Sequence, residues 1–463
     1  MKIQKDTLPV AVIGAGPVGL AAAAHLLERG ESPVVFEAGA SAAHAVRQWE
    51  HVRMFSPWRY NIDSAARRLL EQCDWNQPEC DHLPTGGELV ADYLEPLSRV
   101  PSLAQCLRFG TRVLSVSRHG VDKVRTLGRS ERPFVLRVEK QGEQSDSLFK
   151  AVIDASGTWG NPSPMGSNGL HPIGEEDVRD RIDYGLPDIL GKEGASYRNA
   201  TVLVVGSGHS AFTGVLELLE LQEHYPETKI IWVMRKRSLD KVFGGGANDA
   251  LPARGELGSR AKAAVEEGKV ELITPFEIQR VARVEGDRMM VSGRGPEGEQ
   301  EFVVDRAIVK TGFRPDLNLL REIRIGVDES LEAVRALGPL IDPNEHSCGS
   351  VPPHGARELA HPEPGFYIVG MKSYGRAPTF LLATGYEQVR SVVAEIAGDH
   401  EAAARVELDL PETGVCSAEA VPSCSEASAS VCCNGAEKEE DTSCCAEDEQ
   451  ALSAEEDQPA CCG

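Results

Sequence analysis

Val10-Ala-Val-Ile13-Gly14-Ala-Gly16-Pro-Val-Gly19 is an apolar run that breaks into three closely spaced glycines and then resumes as Leu20-Ala-Ala-Ala-Ala-His25-Leu-Leu. It reads as a buried strand (Pro9–Ile13), a tight turn, and a helix from Val18 to Arg29 stopped at Gly30. Val34-Val35-Phe36 is the next strand, and it ends on Glu37, where a carboxylate can accept hydrogen bonds from ribose hydroxyls. A βαβ unit with its acid in place predicts a dinucleotide site built from Gly14, Gly16, Gly19 and Glu37.

The pattern recurs. Thr201–Val205 is apolar, Gly206-Ser-Gly208-His-Ser210-Ala211 is the turn, a helix runs to about Leu221, and Lys229–Met234 is the following strand. Arg235-Lys236-Arg237 stand where the first unit has Glu37, and cations there favour a 2′-phosphate, which predicts NADPH over NADH on Gly206, Gly208, Ser210, Arg235 and Arg237. Two dinucleotide sites on one chain point to redox chemistry.

Around these units, Phe134–Val138 and Leu148–Ile153 read as paired strands, the second running into Asp154-Ala-Ser-Gly157. Val303–Val309 reads as one buried strand leading to Lys310-Thr-Gly312, Gly365–Gly370 as the last strand, and Ala383–Ile396 as a helix. Gly157, Gly312 and Gly370, each just past a strand, would let backbone approach a cofactor closely. The expected division is 1–165 for the first part of one nucleotide domain, 166–197 for a Pro/Gly-rich linker, 198–302 for the second domain, 303–402 for the return to the first, and 403–463 for a disordered tail.

Composition sets bounds. The 463 residues, 41% of them apolar, suffice for two or three ordinary cores. The net charge is −23, and from Cys416 onward 12 Asp/Glu face only Lys438, which argues against a nucleic-acid partner. Leu8–Leu27 is apolar enough to pass for a membrane or signal segment, but Gly14, Gly16, Pro17 and Gly19 interrupt it, so no membrane partner and a cytoplasmic location are expected. Of 12 cysteines, eight crowd the acidic end, six of them as the adjacent pairs Cys432-Cys433, Cys444-Cys445 and Cys461-Cys462. Adjacent cysteines are poor partners for a mutual disulfide, so cross-pair bonds or shared coordination of a soft metal or metalloid ion is the natural reading.

Two further clusters invite a catalytic reading. Arg53, Phe55, Ser56 and Trp58 lie in a mixed insertion, either as a packed loop or as a cover over a flavin. Lys372, Tyr374 and Arg376 follow Gly370, where positive charge would stabilise an anionic reduced flavin. His346-Ser-Cys348 with His354 has metal-like letters, although a substrate-contacting loop fits them better.

In order and spacing, residues 8 to 400 resemble the two-dinucleotide-binding flavoproteins: thioredoxin- and glutathione-reductase-like enzymes and the flavin-containing and Baeyer–Villiger monooxygenases. The resemblance implies an α/β fold of two Rossmann-like domains, the NADPH domain inserted in the FAD domain, with FAD on the first turn and NADPH on the second. The body lacks the redox Cys-x-x-Cys of the reductases, so it resembles a monooxygenase acting with O2 on a small molecule. Ser156-Gly157-Thr-Trp159-Gly-Asn-Pro162 resembles the monooxygenases' interdomain link, whereas their Phe-x-Gly-x3-His segment has no match around Asn168–His171. With its Cys-Cys tail the chain is similar to flavoprotein monooxygenases encoded beside arsenic-resistance genes. A reductase passing electrons to Cys461-Cys462, and a soft-metal buffer with a structural flavin, are the alternatives.

Overall fold

Val10–Ile13 (β1) is buried at every residue, as a strand covered on both faces must be, and Gly14 leaves it with φ +99°. The helix Pro17–Glu28 (α1) starts with proline in its first turn and leads to Pro33–Phe36 (β2), which lies parallel to β1. After the helix Ser64–Glu71 (α2), capped by the Asp63 carboxylate on Ala66 N–H, the short strand Leu107–Arg108 (β3) extends the same sheet. Thr111–Arg118 (β4), Phe134–Lys140 (β5) and Glu143–Phe149 (β6) form an antiparallel ribbon, and Ala151–Asp154 (β7) then returns to pair in parallel with β1. The apolar run Leu148–Ile153 is thus two strands in two sheets, not one strand paired with β5: Lys150, whose N–H donates to Pro9 O, is the corner.

Ile182–Tyr184 (β8), Thr201–Val205 (β9), the helix His209–His224 (α3), Lys229–Val233 (β10), the helix Pro252–Glu266 (α4) and Glu271–Ile273 (β11) build a second parallel sheet. Glu277–Val284 (β12), Arg288–Gly295 (β13) and Gly298–Val304 (β14) form a second antiparallel ribbon, and Arg306–Val309 (β15) re-enters the second sheet between β8 and β9. Phe366–Ile368 (β16) closes the first sheet and the helix Leu382–Ile396 (α5) packs beside α1. The strand orders are β16-β7-β1-β2-β3 and β11-β10-β9-β15-β8. The fold is therefore two Rossmann-type sheets with the second inserted in the first.

The domain limits differ from those expected in two places. Ile182–Tyr184, inside the segment read as linker, is an edge strand of the second sheet, and Arg306–Val309, assigned to the returning domain, belongs there too. The apolar run Val303–Val309 is broken at Asp305, whose carboxylate accepts from Thr201 N–H at 2.7 Å and from Arg288 Nε at 3.2 Å. That residue turns the chain from ribbon to sheet.

The computed structural model describes residues 5–237, 242, 252–343, 353–377 and 380–408, all within one unit spanning Met1–Ala418. The six paired tail cysteines and His346 and Cys348 lie outside the described residues. No helix among the described residues is long and apolar enough to cross a membrane.

Candidate active site

Both glycine turns stand at the carboxyl ends of parallel strands, the usual place for a ligand on an α/β sheet. At Gly14 the left-handed backbone and a close approach act together: a Cβ there would lie 2.7 Å from Ala155 O. A Cβ on Gly19 would fall 1.9 Å from Gly14 O, so this glycine lets α1 press against the turn. Gly206, with φ +137°, is the counterpart in the second unit, its Cβ position 2.4 Å from Lys310 O.

Gly16, Gly157, Gly208 and Gly312 behave differently. Among the described residues, no atom beyond the chain neighbours lies within 4 Å of a Cβ built on any of them, so there is open space at each turn and at the loop opposite it. Gly16 and Gly208 are the N-caps of α1 and α3, and neither helix has a side-chain cap. With no side chain folded over them, the openings of both helices can face an anion such as a diphosphate. Ser210, in the first turn of α3, is exposed beside them.

Glu37 folds back on its own turn, its Oε2 accepting from Ala15 N–H at 2.9 Å and its Oε1 from Gly39 N–H at 2.7 Å. Arg235, Lys236 and Arg237 are exposed past β10, and Arg235 Nη1 donates to Ser167 O at 2.7 Å. Gly370 (φ +68°) has its N–H held by Gln388 Oε1 of α5 at 2.7 Å, and its Cβ position is 3.3 Å from Val18 of α1. The first turn, the loop after β7, the loop after β16 and the start of α5 therefore converge.

Of the residues after Gly370, Lys372 does not supply the free positive charge expected of it. Lys372 is fully buried, its Nζ donating to Asp154 Oδ2 at 2.8 Å and to Ser156 Oγ at 3.0 Å, so Asp154 neutralises it. Tyr374 is buried, with ring centroids 5.6 Å from His354 and 5.1 Å from Phe380, and burial pushes its phenol well above the ordinary value. Arg376 is exposed and is held through its N–H by Leu331 O.

In the insertion, Ser56 is buried and donates its hydroxyl to Asn61 Oδ1 at 2.8 Å, Trp58 is 1% exposed, and Arg53 donates Nη1 to Leu83 O at 2.6 Å. These three residues stabilise the loop. Phe55 reaches outward: its ring centroid is 5.7 Å from that of His209, the first residue of α3. A second bridge joins the two nucleotide units. Trp159 stacks on Phe313 at 5.0 Å, lies 6.5 Å from Trp49, and donates Nε1 to Gln48 Oε1 at 2.8 Å. Neither contact, nor the Lys372–Asp154 pair, was read from the sequence; the available signal was aromatic residues next to the glycines at 157 and 312 and an acid ending a buried strand.

Among the described residues no group of three or more His, Cys, Asp or Glu could hold a metal ion. Cys73 and Cys80 are exposed and Cys106 is buried, all three as free thiols. A cavity of about 470 Å³ opens at the far end of the first sheet, lined by Lys5, Lys150, His361 and Tyr367 among others, near the strand starts Ala151 and Phe366 and away from both turns.

Two open, uncapped glycine turns facing loops from one chain define a two-dinucleotide α/β oxidoreductase. Residues 11–336 match the family model described as pyridine nucleotide-disulphide oxidoreductase, and the chain belongs to that family. Its cofactors are those of the family, FAD and NAD(P)H, which the cradles at Gly16 and Gly208 fit. A similar protein in sequence is flavin-containing monooxygenase 1 of Mus musculus, 30% identical over 243 residues. That match covers 51% of this chain and 42% of the relative, so the chain spans under half the length of the curated monooxygenase it resembles. In fold it is similar to the bacillithiol disulfide reductase Bdr of Bacillus cereus (TM-score 0.63, 18% identity, 84% of this chain and 99% of the other). It is also similar to an FAD-bound cadaverine monooxygenase of Erwinia amylovora (TM-score 0.61, 14% identity, 89% and 99%). The fold alone is shared by reductases and oxygenases.

Proposed function

We propose that this chain is an NADPH-dependent flavoprotein monooxygenase, with FAD at Gly14, Gly16, Gly19, Glu37, Gly157 and Gly370 and NADPH at Gly206, Gly208, Ser210, Arg235, Arg237 and Gly312. The observation that carries this reading is the pair of open, uncapped turns combined with a body whose four cysteines, Cys73, Cys80, Cys106 and Cys348, include no Cys-x-x-Cys. FAD held at the first turn would supply the redox chemistry that links the nicotinamide to O2. The chain's part is to hold and orient. The α1 and α3 N-termini receive the diphosphates, Glu37 offers acceptors to ribose hydroxyls, and the exposed cations after β10 favour a 2′-phosphate. The Trp159–Phe313 stack and the Phe55–His209 contact hold the second unit against the first. Lys372, paired with Asp154, positions the loops around Gly157 and Gly370.

The substrate class we assign is a small soft or nucleophilic molecule, including metalloid species such as arsenic(III), in the cytoplasm. The three adjacent cysteine pairs of the tail favour it, as thiolates suit soft ions, and Cys432, Cys433, Cys444, Cys445, Cys461 and Cys462 are the proposed ligands. The terminal pair Cys461-Cys462 also supports a second reading, a reductase whose electrons leave through the tail.

Anaerobic addition of NADPH to the FAD-loaded full chain should bleach the visible flavin band, and O2 should restore it with product formed from an added soft nucleophile. Failure of NADPH to bleach the flavin defeats both readings. A Cys461→Ser/Cys462→Ser variant that loses all turnover defeats the monooxygenase in favour of the reductase.

A further inference from the structure

We propose that Lys310 is the buried counter-charge for the diphosphate of the nicotinamide dinucleotide, carrying its proton when the dinucleotide is bound, so that binding draws a proton from solvent. The inference rests on the second glycine turn being the nicotinamide-dinucleotide site.

Lys310 follows β15, and its N–H donates to Val205 O at 2.7 Å, which sets it beneath the second turn. Gly206 lies directly on it: a Cβ there would be 3.2 Å from Lys310 Cβ. Farther along, Lys310 Cε is 3.6 Å from the Cβ position of Gly214, so the side chain runs under the opening turns of α3. Both glycines leave room for this chain. Lys310 is 9% exposed, and Nζ donates to Gly185 O, the one hydrogen-bond partner it has among the described residues.

The contrast with Lys372 is instructive. Each lysine is buried near a glycine turn, yet Lys372 has a carboxylate at 2.8 Å and Lys310 has a carbonyl, which does not cancel a charge. The acids acting on Lys310 are Glu217 of α3, Asp183 of β8 and Glu193. Asp183 already serves Arg306 and Tyr197, and Glu193 accepts from Asp188 N–H. Glu217 is in turn influenced by Lys310, Asp188 and Glu220, the last exposed on α3. Burial holds Lys310 down to about 7 and pushes Glu217 up to about 7, so at neutral pH this pair is short of a full complement of protons.

A dinucleotide diphosphate brings negative charge to the N-terminus of α3, above this lysine. In a poorly screened interior that charge favours the ammonium and the neutral carboxylic acid, raising the affinity of both groups for protons. The sign follows: affinity for the dinucleotide is greatest below the free-state value of about 7 and weakens as pH rises through it, by up to about tenfold per pH unit for each group that takes up a proton. The 2′-phosphate titrates separately, near pH 6 by its second ionisation, and NAD+ lacks it, so the same Lys310 effect should appear with NAD+ and NADP+.

The test is calorimetric titration of the FAD-loaded full chain with NADP+ and with NAD+ at slightly alkaline pH, in two buffers of different ionisation heat. Proton uptake of the same sign with both ligands is expected, and Lys310→Met should remove the lysine's share of it and flatten the pH profile of Kd. Glu217→Gln, which keeps the lysine but removes its acid, should shift the profile to lower pH; it supplies the answer if Lys310→Met does not fold. Tight binding without proton exchange, or uptake undiminished in Lys310→Met, overturns the proposal and leaves the dinucleotide site standing. Absence of binding by either nucleotide overturns both.

Discussion

Gly14 and Gly16 are two residues apart and serve different ends, which makes them separable by mutation. Gly14 has φ +99° and a Cβ position 2.7 Å from Ala155 O, so Gly14→Ala strains backbone against backbone and should cost about 1–3 kcal/mol of stability. Gly16 has φ −78° and open space before it, so Gly16→Ala should shift stability by less than about 0.5 kcal/mol while lowering the FAD retained on purification. Thermal unfolding and flavin absorbance of the two variants distinguish the roles; equal flavin content in Gly16→Ala and the parent protein would remove Gly16 from the cofactor cradle. The glycines and Glu37 were legible because a dinucleotide turn is local: its spacing is written in fewer than thirty residues of sequence. Lys372 was legible as a charge beside Gly370 but not as a neutralised one, since Asp154 lies 218 residues away in sequence and only strand pairing brings them together.

At the scale of elements, the apolar strands β1, β2, β9 and β10 and the helices α1, α3 and α5 were readable from apolar runs and turn residues, whereas the short strands β3, β8 and β11 and the helix α4 were not. What the runs could not show was where one strand ends and another begins. Leu148–Ile153 and Val303–Val309 are each continuous to the eye, yet Lys150 and Asp305 split them between a ribbon and a sheet, because apolar content reports burial and not partner. The link between the two nucleotide units depends on Trp159, which stacks on Phe313 and binds Gln48. Trp159→Ala should leave FAD content unchanged and slow flavin reduction by NADPH in stopped-flow, by about tenfold for each 1.4 kcal/mol of lost alignment. An unchanged reduction rate would mean the stack does not set the relation between the rings.

Across the whole molecule, the described fold closes on itself before the acidic tail begins. Arg390 of α5 donates Nη1 to Ala402 O at 2.8 Å and pairs with Glu387, whose Oε1 also accepts from Glu407 N–H at 3.2 Å. A chain ending at residue 408 should therefore melt within about 0.5 kcal/mol of the full chain and keep its flavin. Loss of flavin on that truncation would show that the tail supports the FAD domain. Retention of NADPH oxidation with loss of soft-ion binding would assign the cysteine pairs to capture of the ion.

The entry to and exit from the second sheet run side by side, Pro162 forming a β-bridge with Phe313 and Ser163 N–H donating to Gly312 O at 2.9 Å. Everything between them is thus a cassette whose two ends nearly touch. Excising it requires only a short splice, after which the five strands of the first sheet still come from what remains of the chain, so the first-sheet module should be expressible alone and open to a second module from another parent.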